Sequence, residues 1–244
     1  MFLAPGILSC DRSGDPGGDG IGVSAEHDAP DPELVVKRRE DGTISSVNQV
    51  NELGQVDGTR ITYFPDGKTV YSKLSFNNGI KHGLSVKYYN NGQVFEMATF
   101  ENGEKHGPQR KFYKTGEVLA VYDYEHGHAL PGLKEYTQEG ALIKEYPEVQ
   151  FREIDHLAAR SRIDLEISCT WKKGKMKYFV LQKEEGKISR IYLITENGST
   201  TMQFYVPPGE ALDKQVDILA EIPTDLGNIL VLERSYTLSV VNKP

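Results

Sequence analysis

Apolar and polar residues alternate along most of the chain after residue 34, and glycines interrupt the alternation at regular intervals. In the clearest stretch, residues 84–89 alternate, Asn91-Gly92 follows, and residues 93–100 alternate again before Asn102-Gly103. Alternation with a period of two is typical of a strand that buries one face. Asn-Gly supplies the positive φ angles of tight hairpin turns. The pattern therefore predicts β-hairpins joined into one antiparallel meander.

The glycines fall into three columns with steps of 24 or 25 residues, and we interpret all of them as turn glycines. The columns are Gly42, Gly67, Gly92, Gly116, Gly140; Gly54, Gly79, Gly103, Gly127; and Gly58, Gly83, Gly107, Gly132. Two aromatic columns keep the same register: Tyr63, Tyr88, Phe112, Tyr136; and Phe76, Phe100, Tyr124. Periodicity of this length predicts a stacked repeat architecture.

After residue 147 the repeat stops, and a second all-β region is predicted. Apolar residues alternate from Ile163 to Trp171, from Val216 to Ile222, and again in the last strand. About seven strands in a hundred residues suggest a small immunoglobulin-like β-sandwich at 147–244. Cys169 lies on the apolar side of its strand, so we expect a core residue and not a nucleophile.

Two segments of the repeat region resemble a known family. Residues 78–83 (Asn-Gly-Ile-Lys-His-Gly) and 102–107 (Asn-Gly-Glu-Lys-His-Gly) are each followed by an aromatic pair and a further turn glycine. They resemble the bacterial MORN-repeat variant of YwqK-type antitoxins, over about residues 34–146. The resemblance implies a hairpin array that acts as an interaction surface. The first copy is degenerate, with Arg38 and Asn51 at the aromatic positions, as terminal repeats often are.

Composition narrows the possible partners. The 244 residues carry a formal net charge of −7, so no global basic surface is present and nucleic acid is not expected as a partner. The hydrophobic fraction of 38% suits a thin array and a small sandwich. Two cysteines exclude a disulfide framework. No run of eighteen apolar residues exists to form a membrane-spanning helix.

The N-terminus offers the one chemical modification that the sequence suggests. Ile7-Leu8-Ser9-Cys10 resembles a bacterial lipobox, so Cys10 is a candidate for lipidation and residues 1–10 for a truncated signal. Residues 11–33 are rich in Asp, Glu, Gly and Pro and predict a disordered acidic tether. Only nine residues precede Cys10, and none is Lys or Arg. Either the true start lies upstream or the match is accidental.

No catalytic, metal or cofactor site is predicted. His82 and His106 occupy equivalent positions in consecutive hairpins, roughly 9.5 Å apart at about 4.8 Å per strand, too far to share one zinc ion. His126 and His128 would need further ligands. The glycines at residues 17–22 lack the flanking strand and helix of a phosphate loop. We therefore expect a protein that is not an enzyme.

Two functions remain open from the sequence. The first is a lipid-anchored cell-envelope protein whose hairpin array and sandwich bind another protein. The second is a cytoplasmic YwqK-type antitoxin or immunity protein that neutralises a toxin by direct binding. A basic, apolar extension upstream would favour the first, and a neighbouring toxin gene the second.

Overall fold

The computed structural model describes residues 33–171 and 175–244. Cys10 and the predicted signal and tether up to residue 32 lie outside the described residues. The structure is 64% strand and 2% helix, which confirms the predicted all-β class. Nothing helical in the described part of the chain has the length and apolar character needed to cross a membrane.

The repeat region forms one ten-stranded antiparallel sheet, as predicted. Its strands follow chain order from β1 to β8, and β8 then pairs with both short strands β9 and β10. The strands are β1 Glu33–Arg38, β2 Ile44–Val50, β3 Val56–Tyr63, β4 Val70–Asn77, β5 Ile80–Tyr88, β6 Val94–Glu101, β7 Glu104–Phe112, β8 Val118–Glu125, β9 His128–Ala129 and β10 Lys134–Glu135. Each repeat therefore contributes one hairpin to a continuous meander.

Four of the five glycines in the first column lie in three-residue turns, and Gly67 lies in a four-residue turn. At the β5–β6 turn, the Gly92 amide donates to the Tyr89 carbonyl at 3.0 Å, and the Tyr89 amide donates to the Gln93 carbonyl at 2.8 Å. Gly92 has φ +84°, whereas Asn91 is not among the residues with positive φ. The expectation that Asn91 and Gly92 together supply positive φ angles is therefore wrong for Asn91. The Asn91 side chain instead accepts a hydrogen bond from the Gln93 amide, which favours an ordinary type I turn before the glycine.

Three of the four glycines in the second column lie in two-residue turns, whereas Gly54 lies in a three-residue turn. Asn78, Asn102 and His126 have φ between +46° and +49°, and each is followed by a positive-φ glycine. These glycines also join consecutive repeats, because their amides donate to carbonyls one hairpin back. The bonds are Gly79 to Val56 at 2.7 Å, Gly103 to Lys81 at 2.9 Å and Gly127 to Lys105 at 2.9 Å.

The third glycine column differs from its predicted role. Gly58, Gly83 and Gly107 lie inside strands β3, β5 and β7 and not in turns, although each has positive φ. They occupy bulges: Ser75 on β4, for example, lies opposite residues 82–84 of β5. A positive-φ glycine serves a bulge as well as a turn, so the column alone could not separate the two. Gly132 lies between β9 and β10, with φ +109°.

The C-terminal region is a two-sheet β-sandwich, as predicted. One sheet has the order β11-β12-β15, and the other β14-β13-β16-β17. This is an immunoglobulin-like arrangement. When the seven sandwich strands are counted from β11 to β17, the first, second and fifth form one sheet, and the other four form the sheet that faces it. The elements are β11 Val149–His156, α1 Leu157–Arg160, β12 Arg162–Cys169, β13 Lys177–Glu184, β14 Lys187–Leu193, β15 Thr200–Tyr205, β16 Ala211–Pro223 and β17 Ile229–Val241.

The sandwich core consists of the residues whose alternation predicted it. Ile163, Leu165 and Ile167 are at most 3% exposed, and Cys169 is buried beside them. Burial raises the pKa of the Cys169 thiol, which suits a core residue. The same core includes Ala120 and Tyr122 of the array, so the two regions pack together within one compact unit.

Candidate interaction surface: the inner face of the repeat array

The ten-stranded sheet has two unlike faces, which the strand register separates. We call inner face the side that carries Ser72, Ser85, Ala98 and Gln109, and outer face the side that carries Ile61, Lys73, Val86, Met97 and Arg110. The four named inner-face residues are all buried, whereas none of the five outer-face residues is. Small side chains along the middle of the inner face allow longer neighbours to fold over it.

Those longer neighbours are basic side chains, and their charged groups lie over the rings of the second aromatic column. Each ring of this column also faces a third-column glycine across the strand pair: Gly58 opposite Phe76, Gly83 opposite Phe100 and Gly107 opposite Tyr124. The distances from cation to ring centroid are 4.7 Å for Arg60 over Phe76, 5.3 Å for Lys81 over Phe100 and 5.0 Å for Lys105 over Tyr124. The inner face is thus covered by cation–π contacts that recur with the repeat.

Four lysines surround the middle of strand β6, and we call them the lysine frame: Lys81, Lys87, Lys105 and Lys111. Lys87 and Lys111 flank Glu96 in one row across β5, β6 and β7. Glu96 is 6% exposed, and its Oε1 lies 3.1 Å from Lys87 Nζ. The frame therefore gathers four cations around one buried carboxylate.

Burial and repulsion from neighbouring lysines weaken the charged form of two members of the frame, Lys105 and Lys111. Burial lowers the pKa of Lys105, the Glu96 carboxylate opposes that shift, and the Lys87 and Lys81 ammonium groups add to it. The pKa of Lys111 is also lowered by burial, with Lys105 and Lys87 contributing. An anion brought into the frame would favour the charged form of both lysines, because it places an opposite charge beside them.

The sandwich closes one end of the inner face. The loop between β16 and β17 reaches the last strands of the array, where Lys111 Nζ donates to the Gly227 carbonyl at 3.1 Å. The buried Glu135 of β10 accepts hydrogen bonds from Thr224 Oγ1 and Asn228 Nδ2, each at 2.6 Å. From β1 to β6, the main contacts of the described residues are with neighbouring strands of the same sheet. Among the described residues, no strand of the sandwich packs extensively on that part of the inner face.

Residues that follow the first aromatic column hold consecutive repeats together. Tyr89 Oη donates to the Phe112 carbonyl at 2.8 Å, and Tyr113 Oη donates to the Tyr136 carbonyl at 2.7 Å. In the degenerate first copy, the Arg39 guanidinium occupies this position and donates to the Tyr63 carbonyl at 2.8 Å. The four members of the first aromatic column, Tyr63, Tyr88, Phe112 and Tyr136, are half-buried.

The contacts of the histidines in the repeat array indicate local structural roles. The rings of His106 and His126 lie 5.3 Å apart, and His106 Nε2 is 3.5 Å from a Glu101 carboxylate oxygen. Residues 33–171 and 175–244 contain no group of three His, Cys, Asp or Glu side chains placed to hold a metal ion. His82 and His106 each precede a bulge glycine, and this local role accounts for their equivalent positions.

Comparison with known proteins identifies a similarity to a known repeat family in the middle of the array. The family model of the MORN repeat variant matches residues 81–102. The matched segment runs from β5 to the turn after β6, so it includes Lys81, Lys87, Glu96 and Phe100. MORN repeats are generally protein- or membrane-interaction modules and generally non-enzymatic. No curated protein and no solved structure matched the chain.

The lysine frame is the feature that sequence reasoning missed. Its members lie 6 to 30 residues apart in a chain whose overall charge is −7, so the net charge conceals them. The signal was nevertheless present, because Lys81 and Lys105 are one repeat apart, as are Lys87 and Lys111. Residues one repeat apart return to the same face of a meander. A comparison of the charges at equivalent positions of successive repeats would therefore have predicted the lysine frame.

Proposed function

We propose that this protein is a non-enzymatic binding protein that presents the inner face of its repeat array to a protein partner. One observation carries the proposal: between β3 and β8 the inner face gathers Arg60 and the four frame lysines against the single carboxylate of Glu96. A concentrated charge of one sign, in a protein of opposite net charge, is suited to steer and select a partner. The interaction role of MORN repeats agrees with this proposal.

The types of side chain on the inner face also suit a protein-binding surface. The Lys81 and Lys105 ammonium groups lie 5.3 Å and 5.0 Å from the centroids of the Phe100 and Tyr124 rings, so these rings hold the cations in place on the inner face. Tyr, Trp and Arg are enriched among the residues that contribute most to protein interfaces, and the inner face carries Arg60 and Tyr124. The outer face offers less charge of one sign, since Lys73 and Arg110 there are separated by apolar residues.

We further propose that the protein is lipid-anchored at the cell envelope through Cys10. The support is the Ile7-Leu8-Ser9-Cys10 motif and the acidic, Gly-rich segment after it. Such a segment would act as a flexible leash between the anchor and the array. Two or more acyl chains would be needed for stable membrane attachment.

Photo-crosslinking in cells tests the binding proposal. A photoreactive residue placed at Leu74 on the inner face should give a discrete adduct with one partner, and one placed at Met97 on the outer face should not. Charge reversal by Lys81→Glu with Lys105→Glu should abolish the adduct, whereas Lys73→Glu with Arg110→Glu should leave it unchanged. Equal adducts from both faces, or no adduct from the inner face, would contradict the proposal.

Lipid labelling tests the anchor in the full-length gene product. Labelled fatty acid should be incorporated by the wild type and not by Cys10→Ser, and Cys10→Ser should move from the membrane to the soluble fraction. Equal labelling of the two proteins, or a wild type found wholly in the cytosol, would overturn the anchor proposal.

A further inference from the structure

We infer that the partner segment bound by the inner face is an extended acidic peptide whose carboxylates enter the lysine frame. The inference rests on the proposed function and adds the chemistry of the partner to it. Charge, burial and spacing each support this occupant.

The frame has more cations than its own carboxylates neutralise. Glu96 lies within ion-pair distance of Lys87, and in the described residues no carboxylate lies within that distance of Lys81, Lys105 or Lys111. Lys111 donates to the Gly227 carbonyl, which leaves two of its three N–H groups for other acceptors. Carboxylates from outside the protein would supply the missing counter-charges.

Partial burial makes such an encounter more favourable than at an ordinary surface lysine. Lys105 and Lys111 have already lost part of their hydration in the free protein, as their lowered pKa values indicate. A carboxylate that binds there meets cations with less water to displace. It would also raise both pKa values, so binding takes up protons where these lysines are partly deprotonated. The affinity should therefore fall as the pH is raised toward the ordinary lysine pKa of about 10.4.

The spacing of the frame favours an extended segment. Lys81 and Lys105 are equivalent residues on β5 and β7, as are Lys87 and Lys111, so the members of each pair lie about 9.5 Å apart at roughly 4.8 Å per strand. A polyproline-like chain returns to the same side every three residues, a rise of about 9.3 Å. Acidic side chains at every third position would thus meet both members of a pair.

The observations favour a peptide over single-stranded nucleic acid. Nucleic-acid binding of this kind requires ring faces on which bases can stack. On the inner face, the Phe100 and Tyr124 rings are already covered by the Lys81 and Lys105 ammonium groups.

The test compares two fluorescent peptides of about twelve residues and identical composition. One carries glutamate at every third position among prolines and serines, and the other carries its glutamates clustered at one end. Fluorescence anisotropy with the full chain at low salt should give at least about fivefold tighter binding of the spaced peptide. That ratio corresponds to about 1 kcal/mol, the upper range of an exposed ion pair.

Variants assign the binding to the frame. Lys81→Ala and Lys105→Ala should each weaken binding of the spaced peptide about fivefold, and the outer-face control Lys73→Ala should not change it. Higher salt should weaken binding to the wild type and have a smaller effect on the double variant that combines Lys81→Ala with Lys105→Ala. Thermal unfolding of each variant verifies that the fold is retained, and Lys81→Arg serves as a charge-preserving variant that should still bind.

Three outcomes would overturn the inference. These are equal affinity for the two peptides, no binding of either, or tighter binding of an oligouridine or of vesicles containing anionic lipid. If the peptides fail while the inner-face crosslink persists, the proposed function stands and the partner uses other chemistry. If the crosslink fails as well, both proposals fall.

Discussion

At the scale of single residues, hydroxyl groups and glycines determine how the repeats fit together. Tyr89 and Tyr113 each donate a hydrogen bond to a carbonyl of the next repeat, and Arg39 makes the corresponding bond in the first copy. Phe64 holds the same position in the second copy and has no hydroxyl to donate. This link is therefore uneven along the array.

Removal of one such hydroxyl should loosen the array measurably. Tyr113→Phe should lower the free energy of unfolding by about 0.5–1.5 kcal/mol, because the half-buried Tyr136 carbonyl loses its donor. Urea denaturation measures the change. The control Tyr205→Phe removes a hydroxyl from a side chain that is 70% exposed, and it should have little effect. Equal midpoints for Tyr113→Phe and the wild type would contradict the role of this bond.

The turn glycines allow a second residue-scale prediction. Gly92 has φ +84° and open space around the position of a side chain, so any penalty comes from the backbone. Gly92→Val should destabilise the protein by roughly 1–3 kcal/mol, since a β-branched residue is strained at positive φ. Gly92→Asn should cost less, because asparagine tolerates this conformation. The interpretation fails if the two variants have the same denaturation midpoint.

Among the secondary-structure elements, the alternation of apolar and polar residues predicted the strands. It did not predict the bulges or the turn types, which depend on individual residues. The hairpins and the seven sandwich strands follow from period-two patterns, and those predictions are confirmed. The bulges at Gly58, Gly83 and Gly107 were missed, because glycine accepts positive φ in a turn and in a strand alike. The two turn types were missed too, since Asn91 acts through its side chain and Asn78 through its backbone.

The sandwich contains a tyrosine whose ionisation should be coupled to unfolding. Tyr178 of β13 is fully buried and donates to the Gly198 carbonyl at 3.0 Å, and burial raises its pKa well above 10. A group whose folded pKa is raised contributes stability that is present below its unfolded pKa and lost as the pH rises above it. Stability should therefore fall as the pH is raised above about 10.

Tyr178→Phe isolates this contribution. The variant should be less stable near pH 8, because a hydrogen bond is lost, yet its stability should fall less steeply between about pH 10 and 12. Denaturation across that pH range gives both quantities. An alkaline slope as steep as that of the wild type would show that Tyr178 is not responsible.

At the scale of the whole molecule, a buried polar contact joins the array to the sandwich. Glu135 of the array is 3% exposed and bonds to Thr224 and Asn228 in the loop between β16 and β17. From the sequence alone, Glu135 resembles any surface carboxylate, and the two regions were predicted as separate domains around residue 147. Contacts over about ninety residues of separation leave no local pattern, and the shared core was therefore not predictable from periodicity.

Loss of this contact should weaken the junction. Glu135→Ala leaves the buried Thr224 hydroxyl and Asn228 amide without their acceptor, which should cost about 1–3 kcal/mol. Amide hydrogen exchange should then increase at residues 224–228. The control Glu139→Ala changes an exposed carboxylate of the same region and should change neither quantity. Unaltered exchange in Glu135→Ala would mean that the loop is held by its other contacts.

Lysine reactivity shows whether the inner face of the array is the binding surface in cells. Purified protein and intact cells are treated with a membrane-permeant amine reagent, and the labelling of Lys81, Lys87 and Lys105 is compared with that of Lys73 on the outer face. The three inner-face lysines should be protected in cells, and Lys73 should be labelled equally in both samples. Equal labelling of the inner-face lysines in the two samples, or protection of Lys73 alone, would contradict a binding role for this face.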